Sequence, residues 1–417
     1  MAVNIDITTI HWWETIAPPT IDSSAPRRVE MKALIIGGGI AGPVLATFLR
    51  RIGVEVSLRE ARRGAASSEG SFLGVAPNGM NVLKEIGVDH EVHARGAVCE
   101  GFQFLGAEGD RIATIDGRDH EDRYGARLVI AKRGDLHEVL LDRALRAGTD
   151  VRFGARLANL DRSDARFVVA RFEDGTEETA DFVIGCDGLR SRVRSIALPD
   201  SPAPAALGLV DFGGYARCDH APLEVGWNVM LFGHRAFFGA FKRPDGEIWW
   251  FHNGASDAEG QGTTRERILA LHEEDPEWVR DVIRATPQIA GPWTFHDIES
   301  LPSWHRGRVC VIGDAAHATS PSAGQGASLA LEDAMELARC LRDAGEPTKA
   351  FAMLEARRRA RVETIVKQAR RNGSGKAVAS PIARWARDRM LPFFLKLGAS
   401  AQHEQYAYRV AWDAPAA

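Results

Sequence analysis

The chain has 417 residues, 52 lysines and arginines against 56 aspartates and glutamates, and a net charge of −4. That length supports two or three domains with substantial cores, and the slightly acidic balance argues against a dedicated nucleic-acid binder. No apolar run reaches the ~18 residues of a membrane-spanning helix, and the five cysteines form no CxxC pair, so neither a transmembrane segment nor a zinc site is expected.

Residues 1–30 carry Trp12, Trp13 and a stretch rich in proline and serine, without the basic and apolar regions of a secretory signal. They read as an extension ahead of the patterned sequence. Residues 32–60 then give a buried strand (33–36), a glycine turn (Gly37, Gly39, Gly42), a helix from Ala41 and a second strand. Glu60 follows at that strand's end. Each part suits a dinucleotide. Gly37 permits the tight turn, Gly39 leaves room for a pyrophosphate, and Gly42 lets the helix pack closely on the sheet. The helix N-terminus offers unpaired N–H groups to phosphates, and Glu60 could accept ribose hydroxyls. This stretch by itself does not distinguish FAD from a nicotinamide dinucleotide, and an unliganded βαβ turn remains the alternative.

After a polar loop, residues 72–87 predict a short strand and then a helix from about Asn78. Short strands follow over 101–116, and an apolar strand at 128–131 runs into Arg133 and a helix over 136–147, capped by Asp135. Residues 166–172 and 177–184 predict a hairpin across Asp174 and Gly175, with a buried strand ending at Asp187 and Gly188. From 209 to 252 the chain is strand-like. Trp227, Phe232, Phe237, Phe238, Phe241, Trp249, Trp250 and Phe251 are eight of its 32 aromatics, and half of them should face away from any pocket as packing. Helical sequence follows at 264–285, a strand over 308–312, a helix over 327–341 and a mostly helical remainder. The basic helix holding Arg357, Arg358, Arg359, Arg361, Arg370 and Arg371 reads as a solvated face. The apolar stretch 390–397 is expected to pack on the cofactor domain or on a partner subunit, with membrane contact as the alternative.

Apolar strands ending in Gly/Asp turns thus recur at 33–37, 181–188 and 308–314, which is how an open α/β sheet builds a ligand crevice. The third is followed by Gly313, Asp314, Pro321, Gly324, Gln325 and Gly326. With Gly37, Gly39 and Gly42, and with Asp187 and Gly188, these form three ordered motifs, and in them the chain resembles the group A flavoprotein monooxygenases, the family of para-hydroxybenzoate hydroxylase. Arg133 ahead of its helix matches a fourth feature, while Ala327 and Ser328 depart from the asparagine or bulkier residue often found after GQG.

The resemblance implies FAD as cofactor and NADPH or NADH as co-substrate. It implies an α/β fold in which a Rossmann-type FAD-binding domain (31–70, 129–200 and 301–372) carries an inserted, mainly antiparallel substrate domain (71–128 and 201–300). A helical segment (373–417) ends the chain. The cofactor-binding residues it implies are Gly37, Gly39, Ala41, Gly42, Glu60, Arg133, Leu157, Asp187, Asp314, Pro321, Gly324, Gln325, Gly326 and Ala327. Asp314 could instead be a helix cap, Asp187 a turn residue and Arg133 a surface arginine.

The implied chemistry is hydroxylation of an aromatic or polycyclic molecule by O₂ through a flavin C4a-hydroperoxide, in a pocket that excludes water. Epoxidation or oxidative decarboxylation on the same scaffold, or a non-catalytic flavin-fold protein that sequesters a reactive intermediate, are the alternatives. No catalytic acid or base is assigned; His234, His252 and His317 lie near the right regions. A monomer or homodimer in the cytoplasm is expected, with no nucleic-acid partner and no metal.

Overall fold

The computed structural model describes residues 31–64, 72–255, 262–373 and 380–416. The extension at 1–30 and most of the polar loop after Glu60 lie outside them.

One sheet has six strands in the order His305–Arg306, Val309–Val311, Phe182–Gly185, Lys32–Ile36, Glu55–Glu60 and Asp150–Phe153. All its pairings are parallel except the first. Parallel strands are covered on both faces, so they read as continuous apolar runs, as residues 33–36 and 182–184 do. Leu34, Ile35, Phe182 and Ile184 are fully buried, together with Val44, Leu45 and Phe48 from the helix Ala41–Arg51 and Leu331 from the helix Gly326–Ala344. Burying each such large side chain contributes roughly 1.5–3 kcal/mol before chain entropy is counted.

The second large sheet has seven strands in the order Ala290–Asp297, Ala205–Arg217, Glu247–Ala255, Phe237–Lys242, Trp227–Phe232, Gly101–Leu105 and Arg111–Asp116. It is antiparallel except where Trp227–Phe232 meets Gly101–Leu105. Alternation splits its aromatics between two faces. Phe238 and Trp250 join Val229, Leu231, Ala240 and Ile248 against the helices Thr264–Leu271 and Glu277–Ala285. Tyr215, Phe237, Phe241, Trp249 and Phe251 lie on the other face, as the registers Tyr215 with Trp249, Phe241 with Trp249 and Phe237 with Asn253 require.

Several expectations need correction. Residues 177–184 are not one strand: Glu177–Ala180 pairs with Val168–Phe172, while Phe182–Gly185 enters the six-stranded sheet. The helix after Arg133 begins at Arg133 itself, so Asp135 sits in its first turn, where a carboxylate favours the helix dipole. Residues 264–285 form two helices, the first opened by a capping box between Thr263 and Glu266. The basic helix is not simply solvated. Arg357 bonds Glu336, Arg359 bonds Glu355 and Glu363, Arg370 bonds Asp297 and Glu299, and Arg358 is fully buried. The apolar stretch 390–397 does not pack inward either, because Met390, Phe393, Phe394 and Leu397 are exposed on the helix Pro381–Ala407.

Candidate active site

The strand Lys32–Ile36 ends against its neighbour. Gly37 has φ of +108°, and a Cβ there would lie 2.4 Å from the Cys186 carbonyl oxygen. A Cβ on Gly42 would lie 2.0 Å from the Gly37 carbonyl oxygen, so the first helical turn can tuck under the strand end only as glycine. At Gly39 a Cβ would meet nothing within 4 Å, so the space over the helix N-terminus at Ala41 is open. The Glu60 carboxylate accepts hydrogen bonds from the Gly38 N–H at 2.7 Å and from the Arg62 backbone at 2.8 Å and side chain at 3.0 Å. Burial raises its pKa, but these bonds with Arg62 and Gly38 more than offset that, and the carboxyl lies below its ordinary value. His137 holds the Gly38 carbonyl at 2.6 Å from the other side. Gly38 and His137 were not singled out from sequence, since their role appears only when the helix Arg133–Arg146 crosses the turn.

Asp187 spends both carboxylate oxygens on the loop that follows. Oδ1 accepts the Ser191 hydroxyl at 2.5 Å, and Oδ2 accepts the N–H groups of Arg192 at 2.7 Å and Val193 at 3.0 Å. Burial raises its pKa despite these bonds. Its observed work is to shape the start of the helix Arg192–Ala197. Leu157 opens the strand Leu157–Asp161 with its side chain in the core, leaving only its backbone for any ligand.

Asp314 is open to solvent yet enclosed by protein, a combination that describes the wall of a cleft. The enclosure raises its carboxyl above the ordinary value, while the charges of Arg133 and His317 act in the opposite direction. Arg133 is exposed and makes no hydrogen bond or ion pair with the described residues, so its guanidinium is available at the same cleft. Pro321 begins a single 3₁₀ turn, and Gly324 has φ of +60° with open space where a Cβ would be. Gln325 is fully buried, and its Oε1 accepts from Asn78 at 2.9 Å while its Nε2 has no partner among the described residues. Gly326 and Ala327 form the first turn of the helix Gly326–Ala344, where N–H groups lack intrahelical acceptors.

Beneath this loop lies a buried ionic network that sequence reading missed. Asp333 accepts from the Gly313 N–H at 3.0 Å, His317 Nε2 at 2.5 Å and Arg358 Nε at 2.7 Å. Arg358 also pairs with Glu332 at 2.6 Å, and Glu332 accepts from Asn78 and Arg361. Burial alone would raise the Asp333 pKa, but His317 and Arg358 hold it down at about 2. One signal was present: two adjacent acids, Glu332 and Asp333, interrupt a helix whose buried positions are otherwise mostly apolar. His317, its ring tilted against that of Trp304 with centroids 5.2 Å apart, is part of this scaffold.

The aromatic face of the seven-stranded sheet adjoins these loops at both ends. Phe72 packs on Trp249 at 5.6 Å and on Phe251 at 6.0 Å. At the other end, Leu209 converges with Ser320 and Ser322, which flank Pro321, around Gly373. His252 points to the opposite face, where it meets His272 at 2.8 Å. His272 meets Asp275 at 2.6 Å, and Asp275 meets His234 at 3.0 Å. The parts brought together are therefore the glycine turn, Glu60, Arg133, Asp314 and the turn before residue 326. The open space at Gly39, the exposed but enclosed Asp314 and the unpaired Gln325 amide fit a dinucleotide that carries a flavin.

Residues 30–369 match the family described as FAD binding domain. Aurachin C monooxygenase/isomerase from Stigmatella aurantiaca is 30% identical over 373 residues, 87% of this chain and 94% of that protein. 3-Hydroxybenzoate 6-hydroxylase from Klebsiella oxytoca is 28% identical over 354 residues, 82% of this chain and 88% of that protein. The crystal structure of Klebsiella pneumoniae HpxO complexed with FAD and uric acid superposes with a TM-score of 0.82 at 24% identity, covering 91% of this chain and 97% of that one.

Proposed function

We propose, from the premise that the chain belongs to the FAD-binding-domain family of group A flavoprotein monooxygenases, that it hydroxylates a neutral aromatic or polycyclic molecule. Residues 31–70, 129–200 and 301–372 would hold FAD, and 71–128 with 201–300 would hold the substrate. Bound FAD supplies the activation of O₂ with electrons from NADPH or NADH, by which one oxygen atom is added to the substrate. Glu60 would accept the ribose hydroxyls, Arg133 would pair with the pyrophosphate, and the Leu157 backbone would meet the adenine. Asp314 would accept from the ribityl chain, and the N–H groups of Gly326 and Ala327 would face the flavin edge that gains charge on reduction. The five free, buried cysteines support a reducing compartment such as the cytoplasm.

The observation that carries the substrate reading is the composition of the aromatic face. Its positions 211, 213, 215, 228, 230, 232, 237, 239, 241, 249, 251 and 253 include six aromatics and no lysine, arginine or histidine. Lys132 sits over the Tyr215 ring at 4.2 Å but is 3.3 Å from Glu247, which neutralises it. An arene carboxylate would find a counter-charge on this face only at its margins, where Arg243 lies over Trp249 and Arg387 over Phe232, each at 4.8 Å, and would keep its desolvation penalty between them. Asn253 is 3% exposed and its side-chain oxygen has no partner among the described residues, so it would accept one hydrogen bond from the substrate.

The test is NAD(P)H oxidation and O₂ uptake by the FAD-loaded protein with neutral phenols, indoles and fused-ring arenes against benzoates, with product masses. Neutral arenes are expected to stimulate turnover and gain one oxygen. Stimulation by the benzoates alone would overturn the substrate class, and no stimulated turnover with any arene would count against the activity.

A further inference from the structure

We infer that the helix Pro381–Ala407 is a docking surface for an anionic lipid bilayer, on which it lies in the plane of the headgroups. Eight large hydrophobic side chains are exposed among the described residues, and six of them are on this one helix: Ile382, Trp385, Met390, Phe393, Phe394 and Leu397. Spaced at about 100° per residue, they share roughly half of the helix circumference. Exposed apolar residues scattered singly need no explanation, but a stripe of aromatics along one helix does.

Charge and area select the occupant. Between 381 and 400 the helix carries Arg384, Arg387, Arg389 and Lys396 against one acid, Asp388, which bonds Arg387 at 2.8 Å. Arg389 and Lys396 are exposed on the Trp385 side of the stripe, where they would reach lipid phosphates while the aromatics enter the acyl boundary. A second copy fits less well. A stripe about 23 Å long and one helix wide offers roughly 250 Å² per copy, against the ~800 Å² per partner of a standard interface, and pairing would oppose like charges. The helix is not long and apolar enough to cross a bilayer, so it would lie on the surface.

The flank of the helix beside Phe394 touches the aromatic sheet. Arg387 lies over the Phe232 ring at 4.8 Å and donates to the Phe232 carbonyl at 3.3 Å. Docking would therefore bring the border of the proposed substrate face to the bilayer, a route for a lipid-dissolved arene. Only this last point rests on the proposed function; the docking itself does not.

Flotation of the FAD-loaded full chain with phosphatidylcholine vesicles containing 30% phosphatidylglycerol tests the inference. Binding is expected to the mixed vesicles, to fall at least tenfold with pure phosphatidylcholine or in 0.5 M salt, and to fall at least tenfold in F393S/F394S and in R389E/K396E. FAD content and the melting temperature should be unchanged in both variants. Equal binding by wild type and variants would overturn it. So would failure to float, or a wild-type dimer in size-exclusion chromatography that F393S/F394S converts to monomer without any vesicle binding.

Discussion

Replacing Asp333 by asparagine removes one negative charge from beneath the Gly313–Asp314 turn while keeping a side-chain oxygen for the Gly313 N–H. The carboxyl lies at about 2, against an ordinary 3.8, and is fully buried. That difference corresponds to roughly 2–3 kcal/mol favouring the charged form in the fold. Breaking a buried ion pair costs about 3–5 kcal/mol, and because Arg358 keeps Glu332 the lower end applies. For a unit of about 390 residues the unfolding entropy is roughly 0.8 kcal/mol/K, so a loss of about 3 kcal/mol lowers the melting temperature by roughly 4 °C. His317 also loses its anionic acceptor, so the turn bearing Asp314 should loosen and FAD should be retained less tightly. Thermal melts and FAD titrations of wild type and D333N measure both effects. A depressed carboxyl pKa contributes stability that is full above 3.8 and lost as pH falls toward 2, so the D333N penalty should begin to shrink below pH 4. A variant that melts within 1 °C of wild type at pH 7 and holds FAD equally well would refute the assigned role of the network.

Three further outcomes are expected. Gly42→Ala would push a Cβ to 2.0 Å from the Gly37 carbonyl oxygen, so the protein should be recovered largely without FAD; full flavin loading would contradict the close packing. Glu60→Ala should weaken FAD binding at least tenfold by equilibrium titration, and unchanged affinity would remove Glu60 from the ribose site. Burial holds His252 well below its ordinary 6.5, with His272 adding repulsion and Asp275 opposing it. The unfolded chain therefore binds more protons than the fold below pH 6.5, and stability should fall as pH drops from 7 to 5. His252→Gln should flatten that slope in urea melts, and an unchanged slope would place the acid sensitivity elsewhere.

Much of this protein is legible in its sequence because the relevant physics is local. A buried parallel strand followed by glycines and a helix has few other readings. The turn at Gly37, the strands at 182–185 and 309–311 and the helix after Gln325 all follow from patterns spanning about ten residues. The motif residues are likewise fixed by backbone needs that only glycine or a short acid meets.

Tertiary structure decided what depends on distant partners. Sequence showed a basic helix but not that Arg358 would be its fully buried member, because burial is set by the acids of another helix, Glu332 and Asp333. It showed eight aromatics but not which would face the crevice, since that depends on strand register. It showed an apolar stretch at 390–397 without its orientation. Only the packing of that helix, with Arg387 turned toward Phe232, leaves Phe393 and Phe394 in solvent. Local propensity chooses the elements; the sides they present are chosen by what they pack against.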